Sequence, residues 1–328
     1  MTVSTQTDPV LLQACLLAGS FADLSKLDFS AVNLVCYNLK RPAALKKRSA
    51  KYPPVHEDYY ALYNMILKDA EKMIDKPEYI HVLLPKDFSR PLEDGAFYRC
   101  VEVLRLLFPS DLDIHTVADF DLDVSAGTIE WAGSAHYHFY TSGKDRYDHY
   151  LYFQKDPKQI SLINDFIRLY FQKIGELKYL RVAIDAYSNS FSPVPLHMSF
   201  ISLGMALETV VDGTSELSYR IRRTVALICA DNAHVAGIIF QNINKIYKLR
   251  STIVHGDAYK YQLVREYHPY LRSLISRTIV QLLHTDFKTA TELQEAILFA
   301  GFSDRGKLFT DETISLNILS YAETLSSL

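Results

Sequence analysis

From residue 158 to residue 284 apolar side chains return every three or four positions, a period that an α-helix satisfies and a strand does not. Ile160, Ile163, Phe166, Ile167, Tyr170 and Phe171 form one stripe, and Leu177, Leu180, Ile184 and Tyr187 form the next. The pattern breaks at Ser192-Pro193-Val194-Pro195, where proline removes a backbone donor and cannot continue a helix. Further helices are predicted over 196–211, 216–230, 235–255 and 261–284. Connections this short make antiparallel neighbours, so a bundle of at least four helices is expected. The tail, 289–328, reads as one or two more helices.

The preceding half has a different texture. Residues 58–74 and 92–108 carry helical spacing, the second stretch ending before Pro109. Around them, 79–84, 114–120 and 128–140 are rich in β-branched and aromatic residues and are separated by Gly, Asp and Ser. The expected architecture is an α+β N-terminal domain over 1–155, followed by an all-α bundle with a helical extension over 156–328, predominantly α overall. No residue set in 1–155 carries an evident reaction, so a sensing or regulatory role is expected there by analogy of layout.

Charge sharpens this division. The whole chain carries a formal −3, far from the balance of a dedicated nucleic-acid coat. Between residues 215 and 288, however, eleven Lys and Arg face five Asp and Glu, a local +6 that suits phosphate. Cys15, Cys36, Cys100 and Cys229 are scattered without CxxC pairing, which indicates neither a disulfide framework nor a zinc site. The first basic side chain is Lys26, so the N-terminus does not read as a signal peptide. No apolar run is long and uncharged enough to span a membrane, and a cytoplasmic location is expected.

No GxGxxG, GxxxxGK, GxSxG or HExxH is present, which removes support for dinucleotide, P-loop, hydrolase-elbow and zincin chemistry. His136 and His138 alternate on a predicted strand but lack a third placed ligand, so no metal is expected. The acid-rich stretch 111–123 lacks the spacing of a calcium loop and reads as a solvated edge and turn. One constellation remains: Tyr247-Lys248-Leu249-Arg250-Ser251-Thr252-Ile253-Val254-His255-Gly256, at the end of a predicted helix. An Arg fork holds phosphate oxygens, and an imidazole moves the proton of a ribose 2′-hydroxyl. Gly256 is a strong helix terminator, placing His255 where the macrodipole favours positive charge. Arg277 and His284 repeat a similar spacing without that context. Positions five apart lie about 140° apart around a helix, so Arg250 and His255 reach one phosphate only at a frayed end or across a two-fold interface.

With these residues in view, the helical half resembles the HEPN superfamily, most closely its ApeA-like domains. The resemblance rests on Phe200-Ile201-Ser202-Leu203-Gly204-Met205-Ala206-Leu207-Glu208, on Arg222-Arg223, and on Tyr247-x-x-Arg250-Ser251-Thr252-Ile253-Val254-His255-Gly256, and covers about residues 160–300. It implies a helical homodimer acting as a metal- and cofactor-independent endoribonuclease, a defence or toxin effector that cleaves tRNA or other cellular RNA and answers to a protein or phage-derived trigger. Arg250 and His255 would be its catalytic pair, with Ser251 at the polar position between them. Glu208, beside an apolar stripe, needs a partner, and Arg250 and Arg223 are the options, either to orient the site or to lock two helices. Lys245, Lys248, Arg222 and Arg223 are the candidate RNA contacts. Asp257 stands where toxins regulated by a nucleotidyltransferase antitoxin carry Tyr, so adenylylation there is unsupported. The alternative is a non-catalytic HEPN dimer that binds RNA, a nucleotide or a partner protein.

Overall fold

A computed structural model describes residues 12–18, 20–39, 45–46, 80–87, 89–123, 128–137, 151–192, 194–211, 216–302, 304–308 and 325. The predicted helix over 58–74, His138 and most of the tail lie outside them. The chain divides into two units: Met1–Val101 with Ser110–Ser142 and Asp148–Ile160, and Glu102–Pro109 with Gly143–Tyr147 and Ser161–Leu328.

The first unit is built on a mixed sheet. Strands β1 (Leu12–Ala18), β2 (Leu34–Leu39), β3 (Leu45–Lys46), β4 (Ile80–Pro85), β5 (Asp113–Asp123) and β6 (Thr128–Tyr137) lie in the order β2-β4-β1-β5-β6-β3. All pairings are antiparallel except β3 with β6. The acid-rich stretch is therefore corrected: it is neither edge nor turn, because β5 pairs with β1 on one side and β6 on the other. In the sequence its aspartates alternate with apolar residues toward both ends of the stretch, the period-2 pattern of a strand. His136 stands opposite Val117 in that register.

Cys15 and Cys36 both lie opposite Leu83, on its two sides, so the three residues form one buried row. Cys100, on helix α1 (Ala96–Leu107), is likewise fully buried. None of the four cysteines forms a disulfide among the described residues. Burial raises the thiol pKa of Cys15, Cys36 and Cys100, and neighbouring thiols add to the effect at Cys15 and Cys100 while the Asp23 charge adds to it at Cys36, so these thiols stay protonated and act as packing residues.

The second unit is helical: α2 (Pro157–Lys173), α3 (Lys178–Asn189), α4 (Leu196–Thr209), α5 (Leu217–Cys229), α6 (Ala233–Val254), α7 (Tyr261–Leu283), α8 (Ala290–Phe299) and the single turn α9 (Arg305–Leu308). Helix α7 is the hub: 17 of its 23 residues are buried, and α3, α4, α5 and α6 all pack against it. The second half of α1 belongs here because its polar groups are satisfied here. Glu102 accepts from Tyr170, Arg181 and Ser188, the Arg105 carbonyl accepts from Tyr187, and the Leu106 carbonyl accepts from Ser276. Phe191 lies between two guanidinium groups, Arg105 at 4.3 Å and Arg272 at 4.2 Å from its ring centre.

One buried imidazole couples this core to pH. The Ser199 hydroxyl donates to the Ser190 carbonyl at 2.6 Å and so meets His268 Nε2, 2.7 Å away, as an acceptor. That places the single proton of a neutral ring on Nε2. Burial, and then the charge of Arg272, push the His268 pKa down to about 2. The unfolded ring takes up a proton near pH 6.5 and the folded ring does not. Stability is therefore expected to fall as pH drops below about 6.5, by up to about 1.4 kcal/mol per pH unit. Urea melts at pH 7.5 and pH 5 should show this fall in the wild type and a flatter one in His268→Gln; equal slopes would remove His268 as its source.

Candidate active site

Helix α6 is defined at both ends. Asn232 caps its N-terminus, accepting from the Val235 amide at 3.0 Å. At its C-terminus Gly256 takes φ +76°, a conformation open to glycine, and its amide bonds to the Ile253 carbonyl while the Asp257 amide bonds to that of Thr252. These two bonds form a Schellman motif with His255 as the C-cap. The helix is regular through Val254, so no frayed turn brings Arg250 and His255 to one phosphate within a chain.

Arg250 is held from two directions. Its Nη2 pairs with Glu208 Oε2 at 3.0 Å, and the Tyr247 hydroxyl donates to Glu208 Oε1 at 2.8 Å. The Tyr247 ring lies 5.8 Å from the Arg250 guanidinium carbon, within cation–π reach. Both partners of the ion pair are mostly covered, Arg250 at 18% and Glu208 at 23% side-chain exposure. Partial burial, and then the hydrogen bond to Glu208 and its charge, push the Tyr247 pKa up to about 12, so the phenol remains a donor at working pH. Of the two expected partners for Glu208, Arg250 is the one it meets. Arg250 Nη1 has no hydrogen-bond partner among the described residues.

Gly204 sets the approach of the two helices. A Cβ at this position would stand 3.0 Å from Arg250 Cγ and 3.4 Å from Nε, so the arginine stem lies directly on the α4 backbone. Because Glu208 fixes the far end of that stem, it has little freedom to move aside. Gly204→Val is expected to expel Arg250 from this seat and lower any Arg250-dependent RNA cleavage at least tenfold, since a misplacement of about 1 Å can cost about a hundredfold. Gly204→Ala, whose helix propensity gain opposes the crowding, should be milder. Cleavage rates of the two variants at matched folded fraction test this.

His255 is solvent-exposed, and its ring has no hydrogen-bond partner among the described residues. Ser251 stands one turn before it and accepts the His255 amide on its carbonyl at 3.0 Å. Lys248 is exposed one further turn back, on the same side of α6. The other predicted RNA contacts are engaged in packing. Lys245 donates to the Leu325 carbonyl at 2.5 Å. Arg222 lies 3.9 Å over the Phe240 ring and donates to the Phe240 carbonyl. Arg223 donates to the Ile297 and Ala300 carbonyls, capping the end of α8. These three stabilise helix ends and junctions, a task that a count of charges does not reveal.

The second Arg/His spacing, which lacks that context, has its arginine buried and its histidine half-buried. Arg277 is 4% exposed and pairs with Asp231 at 2.8 Å, and His284 caps α7 with its ring 5.9 Å from Phe166. Sequence reasoning quoted Tyr247 and Gly204 only as parts of a motif. Their positions three residues before Arg250 and four before Glu208 place each on the face that meets the ion pair.

No family model, curated protein or solved structure matches the chain. The likeness to the HEPN superfamily accordingly rests on the residues quoted above. No helix among the described residues is long and apolar enough to cross a membrane.

Proposed function

We propose that the helical unit is a HEPN-type endoribonuclease, acting as a dimer on tRNA or other cellular RNA in a defence or toxin role. The observation that carries this reading is the Glu208–Tyr247–Arg250 network, which holds a guanidinium near the end of a helix whose C-cap is an exposed imidazole without a hydrogen-bond partner among the described residues. In the reaction the ribose 2′-hydroxyl attacks its adjacent phosphate. His255 serves in proton transfer, and Arg250 neutralises charge building on the phosphorane.

Dimerisation is supported by the outer flank of α4. Met198 and Met205 are 47% and 49% exposed, and with Ile201 they form a row about 60–120° round the helix from Gly204, which faces Arg250. A helix apolar on nearly every side calls for cover on every side. In this reading a second copy seated there would bring one chain's Arg250 toward the other's His255, and the regular end of α6 is consistent with such a composite site.

The test is incubation of the purified protein with total tRNA in excess EDTA, with and without phage-derived triggers, alongside light scattering. The expected result is a dimer producing fragments that end in 2′,3′-cyclic phosphate, with Met205→Arg losing both dimer and cleavage. RNA left intact under every condition, together with growth toxicity unchanged by His255→Ala, overturns the reading. Salt-sensitive RNA binding without cleavage would instead identify a non-catalytic module.

A further inference from the structure

Cleavage by 2′-hydroxyl attack needs two proton transfers. One group takes the proton from O2′ as the O2′–P bond forms, and another gives a proton to O5′ as the P–O5′ bond breaks. The products are a 2′,3′-cyclic phosphate and a free 5′-hydroxyl, and no further reagent enters. Resting on the nuclease reading above, we infer that His197 is the second proton-transfer residue of this site, the general acid for the departing 5′-oxygen.

The side chains already described do not fill this role. Arg250 is assigned to the phosphate, which a guanidinium holds by donating hydrogen bonds and not by giving up a proton. Tyr247 is bonded to Glu208 and its pKa lies at about 12, too high for efficient proton donation near neutrality. Glu208 accepts two hydrogen bonds and pairs with Arg250.

The register of α4 against α6 brings His197 to the site. Gly204 lies against Arg250, while Glu208, one turn further along α4, reaches back to Tyr247 as well as Arg250. The two helices therefore run antiparallel here. Seven residues toward the start of α4, about 10.5 Å along its axis, His197 stands level with the chain just beyond His255, which is itself about 7.5 Å past Arg250. His197 also falls within about 20° of Gly204 around the helix and so shares the face that meets α6.

A direct contact agrees with this placement. The His197 and Tyr259 rings lie 6.4 Å apart between centroids, tilted by 54°, and Tyr259 is four residues beyond His255 in the segment that follows the Gly256 turn. His197 is half-buried, and neither ring nitrogen has a hydrogen-bond partner among the described residues. The imidazoles of His81 and His268 are bonded within the fold, and His234 stands at the opposite end of α6. His197 and His255 are thus two uncommitted imidazoles near one helix end, both displaced from their own chain's Arg250 toward the Gly256 turn, so that in the proposed dimer the pair would meet the Arg250 of a second copy together.

The test replaces the bridging 5′-oxygen by sulfur at a linkage that the wild type cleaves, since a thiolate leaves without protonation. His197→Ala is expected to cleave the oxygen linkage about 10²–10⁴-fold more slowly than wild type and the sulfur linkage within about tenfold of it. His255→Ala, if His255 is the base, stays slow on both. Should His197→Ala melt early, His197→Gln takes its place, with folding read from the thermal transition. An undiminished rate on the oxygen linkage, or equal loss on both linkages in a variant that melts like wild type, overturns the inference while leaving the nuclease reading intact. A wild type that cleaves neither linkage removes both.

Discussion

His255→Ala is expected to lower the rate of RNA cleavage about 10²–10⁴-fold while moving the melting temperature by no more than about 2 °C. The two halves of this expectation come from the same geometry. The ring is exposed and has no hydrogen-bond partner among the described residues, so the folded state loses no packed atoms and no bond when it is removed. The cap itself is backbone: the amides of Gly256 and Asp257 close the helix, and both remain in the variant. In the proposed reaction the proton transfer assigned to this ring is not taken over by His197, which serves the other proton transfer. Arg250→Ala should behave differently, because it strips Glu208 of its cation and uncovers Gly204, so a drop in melting temperature should accompany its loss of rate. Paired cleavage kinetics and thermal melts of the two variants check both statements, and an unchanged cleavage rate in His255→Ala would refute the first.

The largest effect on stability is expected at Glu102. Its side chain is 8% exposed and accepts Arg181 through both terminal nitrogens at 3.0 Å, Ser188 at 3.1 Å, and the Tyr170 phenol. Burial, and then the Glu102 charge, raise the Tyr170 pKa, which keeps the phenol in its donor form. Glu102→Ala removes the acceptor from two buried or half-buried donors and leaves the guanidinium facing Asp185 alone. Truncating one member of a buried charge network costs about 3–5 kcal/mol, which for a unit of this size is on the order of 10 °C. Glu102→Gln keeps the shape and one acceptor oxygen and should lose roughly half as much. Differential scanning calorimetry of the two variants decides the matter. A shift below about 3 °C in Glu102→Ala would mean that α1 is held by its apolar contacts instead.

The helical unit was legible because its residues repeat at one period. Helices expected over 216–230, 235–255 and 261–284 are found as Leu217–Cys229, Ala233–Val254 and Tyr261–Leu283. The end of α6 was legible from Gly256 alone. The sheet was less so. Residues 80–85 and 113–123 were expected as strands in part, but β1 and β2 carry no alternation distinguishable from a buried apolar run, and pairing partners have no local signal. At the site, Arg250 and His255 stood out by chemical type and position, and Glu208 by a charge placed next to an apolar stripe. The packing roles of Lys245, Arg222 and Arg223 were hidden, because their partners are main-chain carbonyls or a ring and carry no complementary charge. His197 gave no signal in the sequence. Its place depends on helix register, which only the fold supplies.

The Gly256 turn has a consequence for how this chain tolerates change. A side chain at 256 would strain a left-handed backbone, whereas at 255 any side chain fits the exposed cap. Adjacent codons therefore answer to different demands, position 256 to the geometry of the main chain and position 255 to chemistry. If the proposed RNA cleavage is what holds the histidine, a lineage that kept only the bundle would let the histidine drift first while the glycine persisted beside it.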